Sequence, residues 1–104
     1  MFFNYYLFYI CDEKRNDMNE IKDLIYKGRV DEAISLLDNY IKDHPKDDEA
    51  YYLLGNAWRK KGNNRLALNN YLEAIHINPE SPAQKAHDML MDILDFYYKD
   101  MYNQ

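Results

Sequence analysis

Glycine and proline are scarce in this chain of 104 residues, with only three of each. So few turn-forming residues leave little material for tight hairpins and favour long helices joined by short connections. A single cysteine, Cys11, excludes an internal disulfide and fits a reducing compartment, so the expected location is cytoplasmic. Catalytic signatures are missing as well: there is no glycine-rich phosphate loop, no paired-cysteine motif and no His-Glu-x-x-His run. The three histidines, His44, His76 and His87, are scattered, and two imidazoles without a neighbouring carboxylate or thiolate make a weak metal site. They are read as partly exposed surface residues, and no metal, cofactor, small-molecule substrate or catalytic residue is assigned. Positive charge is in deficit too: a net charge of −5 and a pI near 5.0 go without the dense basic face that nucleic acid requires. The one tight basic cluster, Arg59-Lys60-Lys61 with Arg65 nearby, is read as cations complementing the dipole at a helix C-terminus. The acidic run Asp47-Asp48-Glu49 is read the opposite way, as negative charge capping a helix N-terminus rather than as an acid–base pair.

Long hydrophobic runs are absent. The most apolar stretch, MFFNYYLFYI at residues 1–10, is far shorter than the ~20 residues of a spanning helix, so membrane insertion is not expected. No Lys or Arg precedes it and no small-residue cleavage site follows, which makes it a poor signal peptide. Phe, Asn, Tyr and Ile have codons that begin with two A or T bases, as translated AT-rich leader DNA would. Residues 1–17 are therefore read as a non-core extension from a misplaced start, with Met18 as the native start. A weak interfacial anchor and an apolar strap on the first helix are the alternatives.

What is present is a 47% hydrophobic content, ordinary for one small globular domain, and eleven tyrosines, whose rings pack while their hydroxyls stay wet. Gly28, Ala33 and Pro45 recur as Gly62, Ala67 and Pro79, each pair 34 residues apart. The apolar positions between them align too: Leu24 with Trp58, Ile34 with Leu68, Leu37 with Tyr71 and Ile41 with Ile75. From Asp48 the segment DEAYYLLGNAWRKKGNNRLALNNYLEAIHINPES places Tyr51, Leu54, Gly55, Trp58, Ala67, Tyr71, Ala74 and Pro79 at all eight signature positions of the tetratricopeptide repeat, which it closely resembles.

That resemblance implies an all-α fold: an α-α superhelix of two tetratricopeptide helix-turn-helix repeats plus a long C-terminal capping helix, as in short stand-alone bacterial proteins of this family. Repeat 2 (48–81) is complete. Repeat 1 (14–47) is degenerate, because Asp17 and Glu20 stand where the family places large apolar residues and Ile21 where it prefers a small one. The first helix is accordingly expected to be short, 18–27, with Met18, Ile21, Leu24 and Ile25 as its apolar stripe and a capping-box-like Asp17-Met18-Asn19-Glu20 start. Further helices are expected over 31–43, 48–61, 64–77 and 82–102, antiparallel to their neighbours. In the last, a Ser81-to-Gln84 capping-box spacing precedes a stripe of Ala83, Ala86, Leu90, Ile93, Leu94, Tyr97 and Met101, while Met89, Met91 and Phe96 fall outside it. Gly55 and Ala67 are small enough for the two helices of repeat 2 to cross closely.

The resemblance further implies a protein or peptide partner held on the concave side, where the first helices of successive repeats meet. Carried onto this sequence, the groove residues are Glu49, Tyr52, Leu53, Asn56, Arg59 and Lys60 from repeat 2, Lys22 and Tyr26 from repeat 1, and His87 with Met91 at the far side. Tyr52 offers an aromatic platform, Asn56 a bidentate amide and Arg59 a fork for a carboxylate, a mix suited to an acidic or C-terminal segment. Chaperone-type members clamp a terminal carboxylate with a Lys/Asn pair and further Asn, Lys and Arg residues. Here only Asn56 matches, Tyr52 and Leu53 replacing the lysine and the next asparagine, so chaperone-tail binding is not expected. Fewer than three repeats rarely suffice for stability, so the alternative is a self-associating protein, a homodimer through the Tyr- and Met-rich C-terminal helix.

Overall fold

The computed structural model describes the backbone of residues 18–102 and the side chains of residues 18–97. The N-terminal apolar run, Cys11 and the Asp17 cap lie outside the described residues, as does the Met101 side chain. Within them the chain forms five helices and no strand: α1 at 18–26, α2 Val30–Asp43, α3 Asp48–Lys61, α4 Asn64–Ile77 and α5 Ala83–Tyr102. Each boundary falls within a residue of the one expected from sequence.

The 34-residue repeat is visible in the backbone itself. At Gly28 (φ 89°) the glycine N–H donates to the Ile25 carbonyl at 3.1 Å, and the Arg29 N–H donates to Leu24 at 2.9 Å. At Gly62 (φ 96°) the same pair of bonds recurs, Gly62 to Arg59 at 3.1 Å and Asn63 to Trp58 at 2.9 Å. Both are left-handed helix stops of the Schellman type, in which glycine avoids the Cβ clash and the last carbonyls are satisfied. The next helix then starts two residues after each glycine, at Val30 and at Asn64, so α1–α2 and α3–α4 are built by one device used twice.

The starts of α3, α4 and α5 are capped by short polar side chains, whereas Arg29 ahead of α2 makes no side-chain cap bond. The Asp47 carboxylate accepts from the Glu49 N–H at 3.1 Å, and the Asn63 side chain accepts from the Leu66 N–H at 3.1 Å. Ahead of α5 the Ser81 Oγ accepts from the Ala83 N–H at 3.1 Å. The reciprocal half of the expected capping box is not made there. The Gln84 amide turns outward to Asp88 at 3.2 Å, and the Ser81 N–H is already held by the Asn78 carbonyl at 3.0 Å.

The core divides into two clusters. The first gathers Met18 and Ile21 of α1, Ala33, Ile34 and Leu37 of α2, and Ala50, Leu53, Leu54 and Ala57 of α3. The second gathers Ala67, Tyr71 and Ala74 of α4 with Ala83 and Leu90 of α5. Tyr52 and Trp58 of α3 touch both and join them. Six alanines are completely buried (Ala33, Ala50, Ala57, Ala67, Ala74 and Ala83), which lets neighbouring helices approach closely while the larger side chains fill the spaces between.

The stripe predicted for α5 is only partly used. Ala83 and Leu90 are buried, and Ala86 and Leu94 pack against the second cluster. Ile93 and Tyr97 are 44% and 66% exposed, a correction to their predicted burial. For Tyr97 the reason is length, since α5 runs 20 residues against the 14 of α4 and its last turns outrun that helix, whereas Ile93 lies on the flank of the stripe beside Leu94, which still packs.

Candidate functional site

The site begins with Gly55 in the middle of α3. A Cβ there would lie 2.4 Å from two ring carbons of Tyr71, so the missing side chain is what lets the Tyr71 ring cross α3. The sequence suggested close backbone approach at this point. Instead an aromatic ring occupies the space. Laid over Gly55, the completely buried Tyr71 carries its hydroxyl to Asn56, donating to Oδ1 at 2.5 Å.

On the other side of Asn56 is an open cleft of about 460 Å³ between α1 and α3, lined by Lys22, Ile25, Tyr26, Leu53, Asn56, Arg59 and Lys60. Its apolar floor comes from Leu53, 3% exposed, and Ile25. Three cations stand around that floor on a chain whose net charge is −5. Lys22 pairs with Glu49 at 3.0 Å, and Lys60 donates to the Tyr26 carbonyl at 2.8 Å with its ammonium 5.7 Å from the Tyr26 ring centre. These contacts tie α1 to α3 across the cleft, and the Lys60 bond satisfies a carbonyl at the α1 C-terminus. Both lysines are exposed and keep donor capacity, since an ammonium has three protons.

Of the ten groove residues expected from sequence, Lys22, Tyr26, Leu53, Asn56, Arg59 and Lys60 come together here. Glu49 sits at the edge through its pair with Lys22. Tyr52 does not line the cleft: it is half-buried between the two core clusters, its ring 6.2 Å from that of Tyr71. His87 is also elsewhere, on α5, with Nδ1 3.2 Å from Asp88. Hydrogen bonds from His87 and Gln84 hold the Asp88 carboxyl below the usual carboxylate range. The bidentate role expected of Asn56 is narrowed, because Tyr71 already occupies its oxygen.

Tyr71, a signature position of the repeat, is not among the groove residues expected from sequence. Burial pushes its hydroxyl above the ordinary phenol value, while hydrogen bonding and charge from Arg59 pull the other way. The phenol therefore keeps its proton at neutral pH and acts as a donor to Asn56. The signal in the sequence was its pairing with Gly55, a hole in one helix facing a ring on the next.

Among the described residues no cluster of three or more His, Cys, Asp or Glu side chains could hold a metal ion, and no helix is long and apolar enough to cross a membrane. Comparison with known proteins gives one family, the tetratricopeptide repeat, whose model matches residues 18–82. No curated protein matches the chain. Among solved structures, the solution NMR structure of Bacteroides fragilis protein BF1650 is 52% identical, covering 84% of this chain and 89% of that one with a TM-score of 0.75. A repeat read at 34-residue spacing, stopped twice by the same left-handed glycine and matched over residues 18–82, makes this chain a member of the tetratricopeptide repeat family.

Proposed function

We propose that the chain is a protein-interaction module that holds an acidic, extended segment of a partner protein in the α1–α3 cleft. The family's general role, non-catalytic protein binding, supports the broad reading. The observation that carries the narrower one is the cleft lining: Lys22, Arg59 and Lys60 around Leu53 and Ile25, with the Asn56 amide between. A carboxylate entering there meets cations on three sides, and the apolar floor takes the stem of its side chain. Opposite charge between ligand and cleft makes the affinity fall with salt.

The test is fluorescence polarisation with labelled glutamate-rich peptides. Wild type should bind them more tightly than lysine-rich or neutral peptides, and Arg59→Ala should weaken binding by about tenfold, the worth of one charge-assisted hydrogen bond. Equal binding of acidic and basic peptides, or indifference to Arg59→Ala, would end this reading.

A second reading is favoured by a different observation. Met89, Ile93, Phe96 and Tyr97 lie along one side of α5 at helical spacing and are 44–69% exposed. A second copy would cover this stripe with the same stripe of its own, giving a self-complementary pair. Sedimentation velocity separates the readings: association at high micromolar concentration that Phe96→Glu abolishes supports assembly, and a strict monomer removes it.

A further inference from the structure

We infer that Tyr71 is the specificity-determining residue of the cleft, acting from the core to make the Asn56 amide a donor and so tuning the site to hydrogen-bond acceptors. This rests on the peptide-binding reading of the cleft and deepens it. The amide of an asparagine has two faces, one accepting and one donating, and it turns over readily unless a neighbour holds it. Here the Tyr71 hydroxyl donates to Oδ1 at 2.5 Å from the buried side, so the oxygen is turned inward and the Nδ2 protons are left for the cleft. The three lining cations, Lys22, Arg59 and Lys60, have donors and no acceptor on their side chains, and the Tyr26 hydroxyl is the remaining polar group, able to donate or accept.

With Asn56 so held, four of the five polar side chains of the lining, Lys22, Asn56, Arg59 and Lys60, offer donors to the cleft, the Tyr26 hydroxyl being the exception. The cleft accepts carboxylates and backbone carbonyls, and it disfavours an ammonium or guanidinium group, which its three cations repel. Two further features hold the arrangement in place. Tyr71 is completely buried, so no water replaces it, and Gly55 leaves the space its ring fills. Arg59 bears on the same hydroxyl, which links the two polar groups of α3 to one atom of α4. A phenylalanine at position 71 would fill the same volume and leave the amide free to turn.

Two probes supply the carboxylate from different sources: acetylated hexaglutamate amide has only side-chain carboxylates, and acetylated hexa-alanine with a free C-terminus has only a terminal one. Both are titrated into the full chain, with Tyr71→Phe and Arg59→Ala alongside. The bound probe identifies the source. For that probe Tyr71→Phe is expected to lower affinity about fivefold, within the worth of one neutral hydrogen bond, with helix content unchanged. In wild type the Asn56 side-chain amide protons should shift on titration, and in Tyr71→Phe they should shift less, a readout that a purely structural tyrosine would not move. Wild-type affinity in Tyr71→Phe overturns the inference while leaving the cleft reading intact, provided Arg59→Ala still weakens binding. Should Tyr71→Phe fail to fold, the wild-type amide titration decides, and unshifted Asn56 protons count against it. Failure of both probes to bind wild type ends the cleft reading and this inference together.

Discussion

Position 55 shows how one residue serves packing and function together. Glycine in mid-helix costs about 1 kcal/mol of propensity relative to alanine, so on local grounds Gly55→Ala should stabilise α3. The Tyr71 ring 2.4 Å from the added Cβ reverses that expectation, since the ring is buried and has nowhere to go. Overpacking of this kind costs about 1–3 kcal/mol, and we expect Gly55→Ala to lower the melting temperature by several degrees in circular dichroism. An unchanged or raised melting point would show that the ring relaxes freely. Tyr71 also carries a pH dependence. Its folded pKa is raised, so the neutral phenol is favoured by folding, and its contribution is whole below the unfolded value of about 10 and lost as pH climbs through the folded one. Denaturant titrations should show wild type losing more stability than Tyr71→Phe between neutral pH and strongly alkaline pH. Parallel curves would remove the effect.

At the scale of elements, helix ends were the most legible feature. Gly28 and Gly62 announce the stops and Asp47 and Asn63 the starts, because a left-handed turn and an orphan N–H each admit few residue types. What a cap touches beyond its own helix was not legible. Asp47 caps α3 and also accepts from the Tyr40 hydroxyl of α2 at 2.6 Å, whereas the Asn63 cap bond is local to α4. Replacing Asn63 by alanine should cost about 1 kcal/mol. Asp47→Ala should cost more, because it also removes the carboxylate that accepts from the Tyr40 hydroxyl, and a double-mutant cycle with Tyr40→Phe should show coupling. Additive effects in that cycle would mean the α2–α3 bond contributes nothing. α5 illustrates the opposite limit of sequence reading: its stripe was correctly periodic, yet only the turns lying against α4 are covered.

At the scale of the molecule, the two core clusters meet through Tyr52 and Trp58 of α3. A repeat array stabilised mainly by nearest neighbours can melt piecemeal. Here the shared helix predicts one cooperative transition. Trp58 is the sole tryptophan, so its fluorescence should melt together with the far-UV signal of the helices. Separate midpoints would show the clusters unfolding independently. The absence of Tyr52 from the cleft lining has its cause here as well, since its half-buried ring packs against both clusters.

The sequence by itself determined the helical class, the 34-residue period and the helix ends, because each depends on local backbone chemistry that a few residue types satisfy. Six of the ten residues expected in a groove line one cleft, since positions three and four apart on α1 and on α3 share a face. Only the tertiary structure decided that Tyr52 and His87 lie elsewhere, that the later turns of α5 go uncovered, and that Tyr71 reaches under Asn56. Those outcomes depend on where one helix sits against the next, and packing across helices is a property of pairs that no single segment encodes.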